Sequence, residues 1–114
     1  IVDIVGFFRV WAIPLTAASA KEGSFVPATE NEWITQGERL LREMLQSSAM
    51  LPIGEDLGDV PHVVRVCLQR LGICGTKVMR WEREWDRPSK PFLPISSYNL
   101  DSMTTVSTHD SETV

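Results

Sequence analysis

The sequence predicts an α/β fold in which helices cover a parallel sheet. Segments of strand and helix character alternate along the 114 residues, in the order strand, helix, strand, helix, strand, connection, strand. Hydrophobic residues make up 43% and charged residues 23% of the chain, which is the balance of a globular protein. Four strands are too few to close a barrel, and no helix follows the last strand. We therefore expect an architecture that is truncated at both ends.

The first strand is predicted over residues 1–5, which are apolar apart from Asp3 and indicate the end of a buried strand. A loop-rich stretch follows, punctuated by Pro14, Gly23 and Pro27.

The first helix is predicted over about residues 35–47. Thr35 and Glu38 have the spacing of a capping box, in which each side chain satisfies a backbone amide of the first turn. An apolar stripe at helical spacing follows, formed by Leu40, Leu41, Met44 and Leu45.

A short second strand is predicted over Met50–Ile53, ended by Gly54. The second helix follows, with Asp59 as its N-cap and Pro61 in its first turn. Gly72 ends this helix as a C-cap glycine does.

The last two strands are predicted over residues 77–81 and 103–107, where apolar and β-branched residues cluster. A connection that contains proline and serine, residues 86–102, separates them.

Charge and cysteine content narrow the function classes. The net charge of −4 and the pI near 5.1 argue against a nucleic-acid partner, because there is no basic stripe to neutralise phosphates. The apolar stretches are too short to span a membrane. Cys67 and Cys74 form no C-x-x-C motif and predict two buried thiols in a reducing compartment rather than a metal site. The chain opens without Met or a secretory signal, so we expect a piece of a cytoplasmic protein.

Three acidic residues stand where parallel α/β folds carry their working residues, at the carboxyl ends of strands. They are Asp3, Glu55 and Asp110. Three converging carboxylates suit the cleavage or transfer of a sugar, as nucleophile, as acid and then base, and as a group that stabilises developing positive charge. The alternative for each residue is a helix cap or a solvated turn, and spacing alone does not decide between them.

Four segments, taken together, resemble the amylomaltases or disproportionating enzymes, the 4-α-glucanotransferases of glycoside hydrolase family 77. They are IVGFFRVWAIP (4–14), LPIGEDLGDVP (51–61), LGICGTKVMRWE (71–82) and SMTTVSTHDSET (102–113). The resemblance implies a partial (β/α)8 TIM barrel, with roughly strands 4 to 7, so that residues 1–114 are the C-terminal half of a catalytic barrel. It also implies a retaining transfer of an α-1,4-glucan segment to another glucan or to glucose, without metal or cofactor.

The resemblance assigns roles to residues of this chain. Glu55 matches the general acid/base, Asp110 the aspartate that stabilises the transition state, and His109 a contact to a sugar hydroxyl. Counting back from the G-F-F-R segment puts Val2 at the position of the nucleophile, whereas a one-residue deletion puts Asp3 there. We expect Asp3, although the arginine that the family carries two places earlier is absent.

Two further residues are candidates for substrate contact. Arg9 either contacts a sugar or pairs with a carboxylate, and Asp56 is either a substrate contact or the structural companion of Glu55 at the turn. The expected partners are α-1,4-glucans, maltooligosaccharides and the missing N-terminal half of the barrel. An inactive remnant of the family is the alternative function. An open half-barrel also exposes strand edges, so we expect poor solubility or association.

Overall fold

Residues 1–111 are described by this computed structural model. Glu112 and Thr113, which end the 102–113 segment, and Val114 lie outside the described residues. The elements in chain order are β1 (Val2–Asp3), α1 (Val5–Phe8), β2 (Val10–Ala12), β3 (Ser24–Val26), α2 (Glu30–Ser47), β4 (Gly54–Glu55), α3 (His62–Leu71), β5 (Gly75–Val78) and β6 (Ser102–Thr105). Two short 3-10 helices span Ala20–Glu22 and Ile95–Ser97.

Four of the strands run parallel and lie side by side in chain order. β1 pairs with β4, and β5 pairs with β6, both in parallel register. β4 meets β5 through a single parallel bridge between Ile53 and Cys74. Helix α2 lies between β1 and β4 along the chain, and α3 lies between β4 and β5. The predicted α/β chain with parallel strands is confirmed.

The stretch predicted to be rich in loops also contains an antiparallel hairpin. β2 pairs with β3 through Val10 opposite Val26 and Ala12 opposite Ser24. Trp11 packs edge-on against Phe25, with ring centroids 4.8 Å apart. Strands of three residues are too short to show a period of two in the sequence, which is why the hairpin was missed.

Helix α2 begins five residues before the predicted start, so the capping box assigned to Thr35 and Glu38 was wrong. The capping box is formed by Thr29 and Glu32, whose side chains bond each other's backbone amides. The hydroxyl of Thr35 instead donates to the Asn31 carbonyl oxygen inside the helix. Both threonines precede a glutamate by three residues, so the motif alone does not choose between them.

Helix α3 ends as predicted and begins differently. Gly72 adopts a left-handed conformation, with φ of 65°, and its amide bonds back to the end of the helix. Pro61 occupies the N-cap position and makes no side-chain cap. Asp59 does not cap the helix, because its carboxylate pairs with Arg9.

The predicted ends of the strands are shifted by one to four residues. β4 lies at residues 54–55 rather than 50–53, β5 at 75–78 rather than 77–81, and β6 at 102–105 rather than 103–107. Gly54 is buried in β4, and a Cβ there would lie 2.6 Å from the Ile4 side chain. The glycine that was expected to end the strand is therefore its first residue.

The core lies on the helix-covered side of the sheet. It contains Ile4, Phe8, Leu41, Val64, Cys67, Leu68 and Ile73, all buried. α1 crosses α2 at Gly37, where a Cβ would lie 2.3 Å from the Phe8 ring. Between α2 and α3, Glu38 of one helix pairs with Arg70 of the other.

Among the described helices, none combines the length and the apolar character needed to cross a membrane.

Candidate active site

Two of the predicted carboxylates lie at directly paired positions. Asp3 ends β1, Glu55 ends β4, and the parallel register pairs these two residues. Paired residues of neighbouring strands project their side chains to the same face of the sheet. Asp3 is exposed and Glu55 is half-buried. The carboxyl ends of neighbouring strands therefore carry two carboxylates side by side, the pair of groups with which glycoside-cleaving enzymes work.

A cavity of about 220 Å³ lies beside Glu55 at the carboxyl ends of the strands. Glu55, Thr76, Met103 and Thr105 line it from three strands, and His109 lines it from the segment after β6. The structure thus brings Glu55 and His109 to one cavity from positions 54 residues apart in the chain. Asp3 and Asp110 are not among the residues that line it.

Asp110 lies in a turn after the end of β6. Its backbone N–H donates to Thr108 Oγ1, and the Ser111 N–H closes the turn on the Thr108 carbonyl oxygen. His109 Nε2 lies 3.2 Å from Asp110 Oδ1, and both side chains are largely exposed. The third predicted carboxylate is therefore near the cavity in the chain but faces solvent in this structure.

Asp56 points away from solvent and toward the neighbouring strand. Its Oδ1 accepts a hydrogen bond from the Thr76 backbone N–H at 2.8 Å, and 11% of its side chain is exposed. Arg65 of α3 donates to the Asp56 carbonyl oxygen and lies 3.8 Å from Oδ2. These contacts tie the residue that follows Glu55 to β5 and to α3.

Arg9 pairs with a carboxylate, which was one of the two alternatives left open by the sequence. Its Nη2 lies 3.4 Å from Asp59 Oδ2, and its guanidinium group stacks over Phe25 and Trp33 at 3.9 and 4.8 Å. Its side chain is 10% exposed. A sugar contact by Arg9 stays a prediction.

Thr76 is a site residue that the sequence analysis missed. It is the one buried polar residue among those described, and its hydroxyl donates to the Gly54 carbonyl oxygen at 3.0 Å. The available signal was a hydroxyl residue in the short run GTKV, next to a glycine and directly before the strand predicted over residues 77–81. Within residues 1–111, no group of three or more His, Cys, Asp or Glu side chains is placed to hold a metal ion.

A family model described as 4-alpha-glucanotransferase, glycoside hydrolase family 77, matches residues 2–114. The fold and the two paired carboxylates define an α/β chain with parallel strands and acidic residues at their carboxyl ends, and this match specifies its family. The chain belongs to the 4-alpha-glucanotransferase family of glycoside hydrolases, as its four segments predicted.

Curated relatives are similar in sequence to this chain over almost its whole length. The chain is similar to 4-alpha-glucanotransferases of Chlamydia pneumoniae, with 49% identity over 110 residues, and of Thermus thermophilus, with 32% identity over 111 residues. These alignments cover 96% and 95% of the chain and 20% of each relative. The chain therefore spans about a fifth of the length of these relatives.

A solved structure supports the fold. An amylomaltase from Streptococcus agalactiae in complex with acarbose matches with a TM-score of 0.59 and 23% sequence identity. The match covers 95% of this chain and 20% of that protein. At this level of identity the similarity concerns the fold alone.

Proposed function

We propose that this chain is the sector of a 4-α-glucanotransferase that supplies its reacting carboxylates, and that the whole enzyme transfers a segment of an α-1,4-glucan to an acceptor glucan or glucose. The observation that carries the proposal is the pairing of Asp3 with Glu55 at the carboxyl ends of neighbouring parallel strands. Retaining glycosidases hold their two carboxyl groups about 5–5.5 Å apart, which adjacent strands achieve because they lie about 4.8 Å from each other.

In the proposed architecture, residues 1–114 are the C-terminal half of a (β/α)8 barrel, with its fourth to seventh strands. The chain order of the four parallel strands supports this arrangement, because barrel strands follow each other in that order. The chain spans about a fifth of each relative, which leaves room in such an enzyme for the other strands of the barrel. The remaining barrel is then the expected partner of this sector.

The proposed reaction proceeds in two displacements. An Asp3 oxygen attacks the anomeric carbon while Glu55 gives its proton to the leaving glycosidic oxygen, so that a covalent glycosyl ester forms and the glucan bond breaks. Glu55, now a carboxylate, then takes the proton of an acceptor hydroxyl, which displaces Asp3 and restores the glycosidic bond. Asp110 stabilises the positive charge of the sugar ring in both transition states, and His109 binds a sugar hydroxyl.

The family supports the proposed substrate class. We propose maltooligosaccharides and longer α-1,4-glucans, in keeping with the acarbose that the amylomaltase neighbour binds. The reaction uses carboxylates alone, so no cofactor is assigned.

The two free cysteines suit a reducing compartment, and we propose a cytoplasmic location.

An inactive remnant is the second candidate, and two observations favour it. The arginine of the family motif is absent before Asp3, since Ile1 stands two places ahead of it. Asp110 is 73% exposed and does not line the cavity beside Glu55. Both features weaken the machinery that the transfer requires.

One assay separates these candidates. The whole enzyme that contains this chain is incubated with maltotriose, and the release of glucose and of longer maltodextrins is followed by chromatography. We expect both products, and their loss in Glu55→Gln and Asp3→Asn. Glu43→Gln is the matched control, because Glu43 is an exposed glutamate of α2 that pairs with Arg39 away from the sheet. Absence of transfer by the unaltered whole enzyme favours the inactive remnant, and transfer that survives Glu55→Gln contradicts the assigned acid/base.

A further inference from the structure

The ladder between β4 and β5 is completed by side chains at its carboxyl end. The Gly54 N–H donates to the Cys74 carbonyl oxygen at 2.7 Å, which is a normal rung. In a regular parallel ladder the Thr76 N–H would next donate to the Gly54 carbonyl oxygen. Here the Thr76 N–H donates to Asp56 Oδ1 instead, and the Thr76 hydroxyl takes the Gly54 oxygen. Two side chains thus replace one backbone rung.

These two bonds enclose Glu55. One of them ends on Gly54, which precedes Glu55, and the other ends on Asp56, which follows it. Both bonds start from Thr76, a residue that is 5% exposed and that lines the same cavity as Glu55. On its other side, Glu55 is paired with Asp3 of β1. The backbone of Glu55 is therefore held from both of its neighbours by a single residue of the next strand.

We propose that Asp56 and Thr76 are positioning residues that fix the direction of the Glu55 carboxyl group for proton transfer. The inference rests on the proposed function, since it concerns the orientation of Glu55 as the acid/base of that reaction. Asp56 acts through its carboxylate as a hydrogen-bond acceptor and does not contact substrate. Arg65 keeps that carboxylate in place, because it bonds the Asp56 carbonyl oxygen and lies beside Oδ2.

The bonds predict which substitutions matter. Thr76→Val keeps the shape of the side chain and removes the hydroxyl, whereas Thr76→Ser keeps the hydroxyl. Asp56→Ala removes the acceptor of the Thr76 amide, whereas Asp56→Asn keeps an acceptor oxygen. Asp59→Asn is the control in the same loop, because the Asp59 side chain is 99% exposed and lies outside this set of bonds.

The first test is structural and needs no turnover. Amide hydrogen exchange and the NMR resonances of Glu55 are recorded for the unaltered chain and for the five variants. We expect Asp56→Ala to speed exchange of the Thr76 amide by about tenfold or more, with a smaller change in Asp56→Asn and none in Asp59→Asn. Thr76→Val should shift the Glu55 resonances more than Thr76→Ser does. A protected Thr76 amide in Asp56→Ala, or equal shifts in the two Thr76 variants, overturns the proposal.

The second test is kinetic and uses maltotriose. A positioning role lowers kcat in Thr76→Val with KM unchanged, and Thr76→Ser restores kcat. A purely structural role would instead lower the kcat of both variants in proportion to their loss of unfolding free energy. That result contradicts the proposal. If the unaltered whole enzyme makes no product, the proposed function fails, while the exchange and resonance data still decide whether Asp56 and Thr76 hold Glu55.

Discussion

The part of the chain before β5 and the part after it differ in what covers their hydrophobic side chains. Between β1 and β5, each connection between parallel strands contains a helix. The helices of this part of the chain carry Phe8, Leu41 and Val64, which are 0% exposed. Between β5 and β6, the described connection contains only a 3-10 helix of three residues, and Leu100 there is fully exposed. A sheet buries a face only where a second layer covers it. The largest cluster of buried side chains therefore lies where helices cover the parallel strands.

The connection after β5 is ordered by polar contacts instead. The Glu84 N–H bonds the Pro91 carbonyl oxygen, and the Leu93 N–H bonds the Glu82 carbonyl oxygen. The Arg83 guanidinium group lies 3.6 Å from the centre of the Phe92 ring. Such contacts define a loop conformation but contribute much less stability than a buried side chain does.

The largest test of this comparison pairs two phenylalanines. Phe8 is fully buried and Phe92 is 59% exposed. We expect Phe8→Ala to cost about 3–5 kcal/mol of unfolding free energy, because it leaves a cavity in the core. Phe92→Ala should cost below about 1 kcal/mol, the scale of an exposed cation–π contact. Denaturant unfolding measures both, and equal costs would show that the two regions are not different.

The crossing of α1 over α2 gives a second test of intermediate size. In an exposed helix, replacing glycine by alanine stabilises by about 1 kcal/mol. At Gly37 a Cβ would lie 2.3 Å from the Phe8 ring, so we expect Gly37→Ala to destabilise by about 1–3 kcal/mol. In the double variant with Phe8→Leu the two costs should not add, because the smaller side chain makes room for the methyl group. Strict additivity would show that the two residues do not touch.

The smallest effect concerns the start of α2. Thr29→Ala should cost about 1 kcal/mol, since it removes the N-cap. Thr104→Ala, an exposed threonine of β6, is the control and should change the unfolding free energy little. If the two variants are equally stable, Thr29 does not cap the helix.

The same cap makes stability depend on pH. Hydrogen bonds from the Thr29 hydroxyl, and then from its backbone N–H, lower the pKa of Glu32. A lowered pKa in the folded state means that the carboxylate stabilises the fold above its ordinary value, about 4.3, and that this contribution is lost as the pH falls through the folded value. The stability advantage over Glu32→Gln should therefore shrink below about pH 4 in urea unfolding. An advantage that grows in acid would reverse the assigned direction.

The sequence was informative where one pattern decides one outcome. Alternating strands and helices predicted the parallel strands. The rule that carboxyl ends of strands meet predicted that Asp3, Glu55 and Asp110 converge, and the structure pairs Asp3 with Glu55 while Asp110 faces solvent. It was less informative where two patterns compete. Thr29 and Thr35 each begin a capping-box motif, and the apolar run before Gly54 looked like the strand that in fact starts at Gly54.

The bonds around Glu55 were out of reach for a different reason. The Asp56 carboxylate finds the Thr76 amide 20 residues away, and that meeting depends on the bridge between Ile53 and Cys74. No periodicity in the sequence reports the register between two strands. Side chains that replace a backbone rung become visible only once that register is fixed.

The order of the parallel strands has a consequence for how the chain is made. Each of β4, β5 and β6 lies beside the parallel strand that precedes it in the chain, and β3 pairs with β2 just before it. On a ribosome, each of these four strands therefore emerges to find a neighbour already synthesised. This part of the protein can grow by adding one strand at a time to an existing edge, without waiting for a later segment to complete a pair.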